Sequence, residues 1–384
     1  MAHRNARHAM VTAGRETLMN PTGQVLLINP AITSRRRARF PLSIMTMAAA
    51  LEGRYTSTLI DGNMNTNAVA TVRDAVRGQV FGAVGITVMG GPQVATAIEV
   101  SRAIRSVRPG LPIVWGGYFP TLYPEVALNN NYVDFVVRGQ GEDTFVALLD
   151  ALAAGEDDYS HIDGLGWRRG GVAIQNPDRI LSKKHLAPQL CYDKLPDPKG
   201  YLVESFLGRR TVAHQAALGC RFRCTFCGVA AMFKGATALP PAERLDREIS
   251  FLKDELGADS IQFYDHNFFD REQDMVPLLE VLAHHQLPWW CYARADALVS
   301  LSPESWKLVR KSKLRMAYIG AETPNDGLLK SIRKGTRSSQ TLEVAELCRA
   351  NGVIPELSFM VAPPENTESE TERTFEYIRR LKRI

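Results

Sequence analysis

Three cysteines in eight residues constrain this chain more than any other feature. They lie in Ala217-Leu218-Gly219-Cys220-Arg221-Phe222-Arg223-Cys224-Thr225-Phe226-Cys227-Gly228, at the spacing C-x3-C-x2-C, and make up half of the six cysteines. A loop turning on itself at that spacing presents three thiolates to one face of an iron–sulfur cubane and leaves one iron without a protein ligand. Two other readings stand beside this one. A zinc site would take His214, Cys291 or Cys348 as fourth ligand, although zinc knuckles favour paired C-x2-C units, which the sequence lacks. A disulfide fits less well, because clustered cysteines without a secretory segment suggest a reducing compartment.

The cysteine pattern, with Phe226 just before the last thiol, resembles the signature of the radical S-adenosylmethionine (SAM) enzymes. The resemblance implies that Cys220, Cys224 and Cys227 bind a [4Fe-4S] cluster and that SAM chelates the fourth iron through its amino and carboxylate groups. Electron transfer then cleaves SAM to a 5'-deoxyadenosyl radical.

With 384 residues the chain is long enough for two domains with their own cores. Its 46 basic and 41 acidic residues leave a formal charge of only +5, part of it in the opening run with His3, Arg4, Arg7, His8 and Arg15. Residues 1–23 lack the apolar stretch of a signal peptide and read as a disordered basic tail, not a nucleic-acid arm. No apolar run reaches the length of a membrane span, so a cytoplasmic protein is expected.

From Val25 onward, short apolar runs alternate with helix-length segments: Val25 to Pro30, Tyr55 to Asp61, Phe81 to Val88, Leu111 to Trp115 and Val133 to Val137. Such alternation predicts a doubly wound, Rossmann-like α/β parallel sheet over residues 24–154, with ligands beyond the carboxyl ends of the strands. The loops there carry Asp61, Gly90 and Gly91, Gly116 and Gly117 with Thr121, and Gly139, Gly141 and Glu142. Glycine lets backbone approach a ligand closely, although tight turns need it too, and the dinucleotide fingerprint is absent.

The order of these loops, with Pro41-Leu42-Ser43 opening the first helix and Pro124-Glu125 after Thr121, resembles the cobalamin-binding domain that precedes one class of radical SAM barrels. The resemblance implies that the loop residues above bind cobalamin. Residues Asn29 to Arg39 contain no histidine, so a lower histidine ligand to cobalt is not expected. The alternative is a degenerate domain kept for structure.

Residues 155–205 change character, with a polar turn, a hairpin around Arg169-Gly170-Gly171, breaks at Pro188, Pro196 and Pro198, and Cys191, read as a plain structural cysteine; they read as a linker. Five strand–helix units follow, the strands being Thr211 to Leu218, Ser260 to Tyr264, Pro288 to Ala293, Arg315 to Gly320 and Glu356 to Val361. Residues 206–384 are expected to form a partial TIM-type (β/α)6 barrel with its chemistry at the strands' carboxyl ends. The family's sixth strand lacks a counterpart, so a chain truncated at its C-terminus is expected.

At those ends the resemblance assigns Asp265 to the SAM amino group, Arg294 to its carboxylate, which a guanidinium grips bidentately, and Glu322 to its ribose or amine. Asp265 and Asn267 also suit turn caps. Ala362-Pro363-Pro364 stands where the family lines the adenine, and His266 is either an acid–base group or a packing residue.

The family resemblance implies a cobalamin-dependent radical SAM methyltransferase acting on an unactivated carbon of a small molecule. It would use a [4Fe-4S] cluster, SAM, cobalamin and a reducing partner such as flavodoxin or ferredoxin. The same architecture also serves oxidative cyclisation or rearrangement, and a non-catalytic cobalamin or iron–sulfur sensor is the alternative of another class. Methylthiotransferases carry an additional N-terminal three-cysteine cluster, and here no cysteine precedes Cys191.

Overall fold

The computed structural model describes residues 23–65, 67–181, 190–361 and 368–384. The basic opening run and Ala362-Pro363-Pro364 therefore lie outside the described residues. The chain divides into two compact units: residues up to 35 with 43–179, and residues 36–42 with 180–384.

In the first unit, β1 (Gln24–Asn29), β2 (Thr56–Asp61), β3 (Ala83–Thr87), β4 (Ile113–Gly116) and β5 (Phe135–Val137) form a parallel sheet in the order 2-1-3-4-5. Helices follow each strand, and the near-continuous apolar runs of β1, β3 and β4 are what burial on both faces requires. The order reverses between β1 and β3, which makes the carboxyl ends of these two strands the ligand crevice of a doubly wound sheet. The hairpin expected around Arg169-Gly170-Gly171 is β6 (Leu165–Arg169) and β7 (Val172–Gln175), and it extends the same sheet antiparallel beyond β5.

In the second unit, β8 (Thr211–His214), β11 (Ser260–Phe263), β12 (Trp289–Ala293), β13 (Leu314–Glu322) and β14 (Ile354–Phe359) are parallel neighbours in the order 14-13-12-11-8. Each is followed by helix, giving a partial barrel. Its two faces differ. Ile261, Phe263, Trp289, Cys291, Ala317 and Ile319 are buried, and Trp289 Nε1 donates to Ser312 O behind the sheet. Alternation sends Gln262, Tyr264, Tyr292 and Tyr318, all half-buried, to the opposite face.

The sequence predicts one strand from Thr211 to Leu218, and the structure breaks it. β8 ends at His214, while Leu218–Gly219 form β9 and pair antiparallel with β10 (Thr237–Ala238). The cause is local. The Ala216 and Ala217 amides turn to the Asp265 carboxylate, and Gly219 at the end of β9 adopts φ +80°, outside the extended region of a continuous strand. A Cβ at Gly219 would stand 2.1 Å from Ala236 O, so only glycine allows β9 and β10 to close.

Candidate functional site

The β9–β10 pairing forms the neck of the cysteine loop. Within the loop, Cys227 N donates to Cys224 O, Thr225 N reaches Ile332 O, and the helix Gly228–Phe233 starts directly after Cys227. All three thiols are free; Cys224 is buried, and Cys220 and Cys227 are half-buried. Burial pushes the Cys220 thiol up. Among the described residues, no three His, Cys, Asp or Glu side chains converge on a single-ion site. Cys291 and Cys348 are fully buried, with the Cys348 thiol pushed up to about 12 by that burial, and His214 Nε2 is bonded to Glu248 of the helix Ala242–Asp254. Those three side chains belong to the layer between sheet and helices and complete no zinc site with the loop.

Asp265 is almost wholly buried at the end of β11. Its oxygens accept from Ala216 N at 2.9 Å and Ala217 N at 2.6 Å, and burial pushes its carboxyl up to about 6. It thus braces the loop's incoming strand. His266 Nδ1 accepts from Gly219 N at 3.2 Å, and burial holds this imidazole down at about 4, neutral at physiological pH. Asn267 Nδ2 donates to Asp270, whose carboxylate also meets Arg221 of the loop. Asp265, His266 and Asp270 therefore all serve the cysteine loop from β11's carboxyl end.

Arg294 follows β12. Its Nε and Nη2 grip Asp296 at 2.9 and 3.0 Å, and its guanidinium lies 3.5 Å from the Phe222 ring centroid. Nη1 points to Cys224 Sγ at 3.9 Å. The guanidinium therefore packs between the Phe222 ring and one sulfur of the loop. Glu322 ends β13 at φ +61°, a left-handed conformation unusual for glutamate, and its Oε1 accepts from Lys334 Nζ at 2.5 Å. Lys334 was missed in the sequence. Its ammonium stands over the Phe226 ring at 5.9 Å and its carbonyl accepts from Arg294, so it joins β12, β13 and the loop. Gly320 makes room, since a Cβ there would fall 2.3 Å from Glu322 Oε1 and 2.6 Å from Lys334 Nζ.

The first unit has its own polar centre at the crevice. Asp61 Oδ1 accepts from Asn29 Nδ2 and from Asn63 N and Nδ2, all within 3.0 Å. Gln93 Nε2 donates to Asn29 Oδ1 and Pro30 O, while its Oε1 accepts from Met89 N. Asn29 and Asn63, which lie in loops the sequence marks as strand ends, and Gln93, absent from the sequence expectations, tie the loops after β1, β2 and β3 together with Asp61. Thr121 Oγ1 donates to Gly117 O and accepts from Gly139 N, joining the loops after β4 and β5. Gly117 needs its φ of +98° and would bring a Cβ to 3.0 Å from Val88 O. Gly141 precedes the helix Glu142–Ala153, in whose first turn Glu142 is buried. At Gly90 and Gly91 an added Cβ would meet nothing within 4 Å, so these glycines leave open space beside the crevice, not a tight internal fit.

Two family models match these two sites. The B12 binding domain matches residues 31–149, and the Radical SAM superfamily matches residues 216–378, which contain the cysteine loop and the ends of β11, β12 and β13. The chain belongs to the cobalamin-dependent radical SAM enzymes. An uncharacterized methyltransferase of Pyrococcus horikoshii is 25% identical over 89% of this chain and 73% of its own length. An anaerobic magnesium-protoporphyrin IX monomethyl ester cyclase of Synechocystis is 25% identical over 73% of this chain, which spans 54% of that protein. Among solved structures, the radical SAM methyltransferase TsrM of Kitasatospora setae superposes with a TM-score of 0.77 at 18% identity, covering 94% of this chain and 70% of that one.

The cofactors of such an enzyme are a [4Fe-4S] cluster, SAM and cobalamin, and the residues present fit them. Three free thiols on one loop, with an arginine against one sulfur, are the donor set of a cubane with an open iron. The braced loops of the B12-binding domain, with Gly90 and Gly91 exposed and uncrowded, lie at the strand-end crevice where a doubly wound sheet takes its ligand. Among the described residues no helix is long and apolar enough to cross a membrane.

Proposed function

We propose that this enzyme methylates an unactivated carbon of a small molecule. The observation that carries the proposal is the cysteine loop, held by Asp265, His266 and Arg294 at the carboxyl end of a partial barrel, in a chain that also has a B12-binding domain. When bound, the three cofactors supply a 5'-deoxyadenosyl radical for hydrogen abstraction and a methyl group for transfer. The chain's own residues do the positioning. Cys220, Cys224 and Cys227 hold the cluster. Arg294 Nη1 and the Glu322–Lys334 pair offer opposite charges for the amino-acid end of SAM, as the sequence resemblance suggests for Arg294 and Glu322. Asp265 acts here as a positioning residue, because its oxygens already receive two amides. Gly117, Thr121 and Gly139 shape the loops for cobalamin, and Asp61 fixes the crevice from below.

The proposal includes a one-electron donor of the flavodoxin or ferredoxin kind and a cytoplasmic setting, where clustered thiols such as those of the loop are kept reduced. Methyltransferase-named relatives support methyl transfer, while the cyclase relatives favour the same radical start without it. SAM labelled with a deuterated methyl separates the two. Label in the product of the holoenzyme supports methyl transfer, whereas 5'-deoxyadenosine with an unlabelled, oxidised or rearranged product sinks it in favour of the cyclase reading.

A further inference from the structure

On the barrel face turned away from the helices, one layer below the site, lies a row of aromatic rings. Register aligns Tyr292 of β12 with Tyr318 of β13 and Glu356 of β14, and Trp290 sits one step earlier on the same face. Tyr264 closes the row at β11. The rings interlock, with centroids 5.9 Å apart for Tyr264–Tyr292, 5.2 Å for Tyr292–Tyr318 and 4.7 Å for Trp290–Tyr292. Arg294 and Gly320 stand two residues further along the same strands, about 6.6 Å toward the cysteine loop.

Barrel interiors of this type are ordinarily filled by branched aliphatic side chains. Here the layer is aromatic, and Tyr264, Tyr292 and Tyr318 are half-buried, so part of each residue is left uncovered by protein. A cation joins it. The segment Arg36–Leu42 belongs to this unit, pinned by Phe40 against Tyr201 and Tyr192. It carries Arg39 over the Tyr264 ring at 5.3 Å, with Nε donating to Tyr264 Oη. Arg39 is half-buried and, among the described residues, pairs with no carboxylate. A guanidinium in that state is a receptor for an anionic group, and its planar fork suits a carboxylate or phosphate. Glu356, at the opposite end of the row, is an exposed carboxylate on the edge strand and directs an anionic ligand toward Arg39.

We infer that this row is the substrate subsite and that the substrate is a planar, aromatic or conjugated molecule with an anionic group that binds Arg39. The inference rests on the reading of the cysteine loop as the catalytic centre. The ring lies over Tyr292 and Tyr318 in the offset or edge geometry that aromatic pairs prefer, and the anion sets which end faces the loop.

The test is calorimetric titration of the anaerobically reconstituted holoenzyme with three probes: 2-naphthylacetate, the neutral 2-naphthylmethanol and the non-aromatic cyclohexylacetate. The naphthyl anion is expected to bind about tenfold or more tightly than either control. Arg39→Met should weaken 2-naphthylacetate to the level of 2-naphthylmethanol without changing the latter, and Arg39→Lys should restore part of the difference. Tyr318→Leu should weaken both naphthyl probes. Equal binding of all three probes, or equal weakening of both naphthyl probes by Arg39→Met, would overturn the inference. So would displacement of 2-naphthylacetate by S-adenosylhomocysteine, which would assign the row to the adenosyl group of SAM. Titration reads binding without turnover. A reduced wild-type enzyme that forms no 5'-deoxyadenosine would instead overturn the catalytic reading on which the subsite rests.

Discussion

Glu322 Oε1 lies 2.5 Å from Lys334 Nζ, both side chains are under 10% exposed, and the pair fills the space that Gly320 leaves by having no side chain. The pair links β13 to the segment that also accepts Arg294 through the Lys334 carbonyl. Breaking it from one side strands a buried charge. Lys334→Met is expected to destabilise the second unit by about 3–5 kcal/mol, read by urea unfolding, and to lower SAM affinity. Gly320→Ala should act on the same pair, because the added carbon displaces both partners. A Lys334→Met enzyme of unchanged stability would remove the pair from the account.

The pH dependence of this site has two opposed components. Asp265 has its carboxyl pushed up to about 6 from 3.8, chiefly by burial. The folded state therefore prefers the acid, and this contribution is complete below pH 3.8 and lost as pH rises through about 6. His266 is pushed down to about 4 from 6.5, again by burial. Its neutral form is preferred, so its contribution is present above pH 6.5 and lost as pH falls through about 4. Each amounts to about 3 kcal/mol and the two offset one another on acidification. Asp265→Asn should therefore lose stability more steeply between pH 6.5 and 4 than wild type, while His266→Asn should lose less. Parallel profiles for all three proteins would refute the assignment.

Gly219 holds the neck of the cysteine loop at φ +80° against Ala236 O. Gly219→Ala is expected to open the β9–β10 pairing and to reduce iron and sulfide per chain after reconstitution, with cobalamin binding retained. Loss of cobalamin as well would point to general misfolding.

Two adjacent glycines give an internal control in the B12-binding domain. At Gly116 a Cβ would find its nearest neighbour at 3.9 Å, an ordinary contact, whereas at Gly117 it meets Val88 O at 3.0 Å with φ +98°. Gly116→Ala should be tolerated. Gly117→Ala should cost about 1–2 kcal/mol and weaken cobalamin binding, measured by the absorption of the bound cofactor. Equal effects would contradict the loop geometry described here.

Much of this architecture is written locally. The apolar runs of β1, β3 and β4, the helix-length intervals and the C-x3-C-x2-C spacing are short-range patterns, and they announce a parallel sheet, a second strand–helix series and a thiol loop. What the sequence conceals arises from pairs distant in the chain. Arg39 meets Tyr264 across 225 positions, and Gln93 reaches Asn29 across 64. Lys334 stands in Arg333-Lys334-Gly335, which reads as an ordinary charged turn until β13 brings Glu322 beside it. The break after His214 was likewise hidden, because Ala216 and Ala217 look strand-compatible and only the distant Asp265 draws their amides aside. Asp265 shows the same limit in function, for its position was legible and its two amide partners were not.

The most direct test of the account is metal analysis of enzyme purified anaerobically from cells supplied with cobalamin, comparing wild type with the Cys220/Cys224/Cys227→Ala variant. About four irons with matching sulfide and one cobalt per wild-type chain are expected, with iron and sulfide lost and cobalt kept in the variant. Iron without cobalt in wild type, or iron retained in the variant, would contradict it.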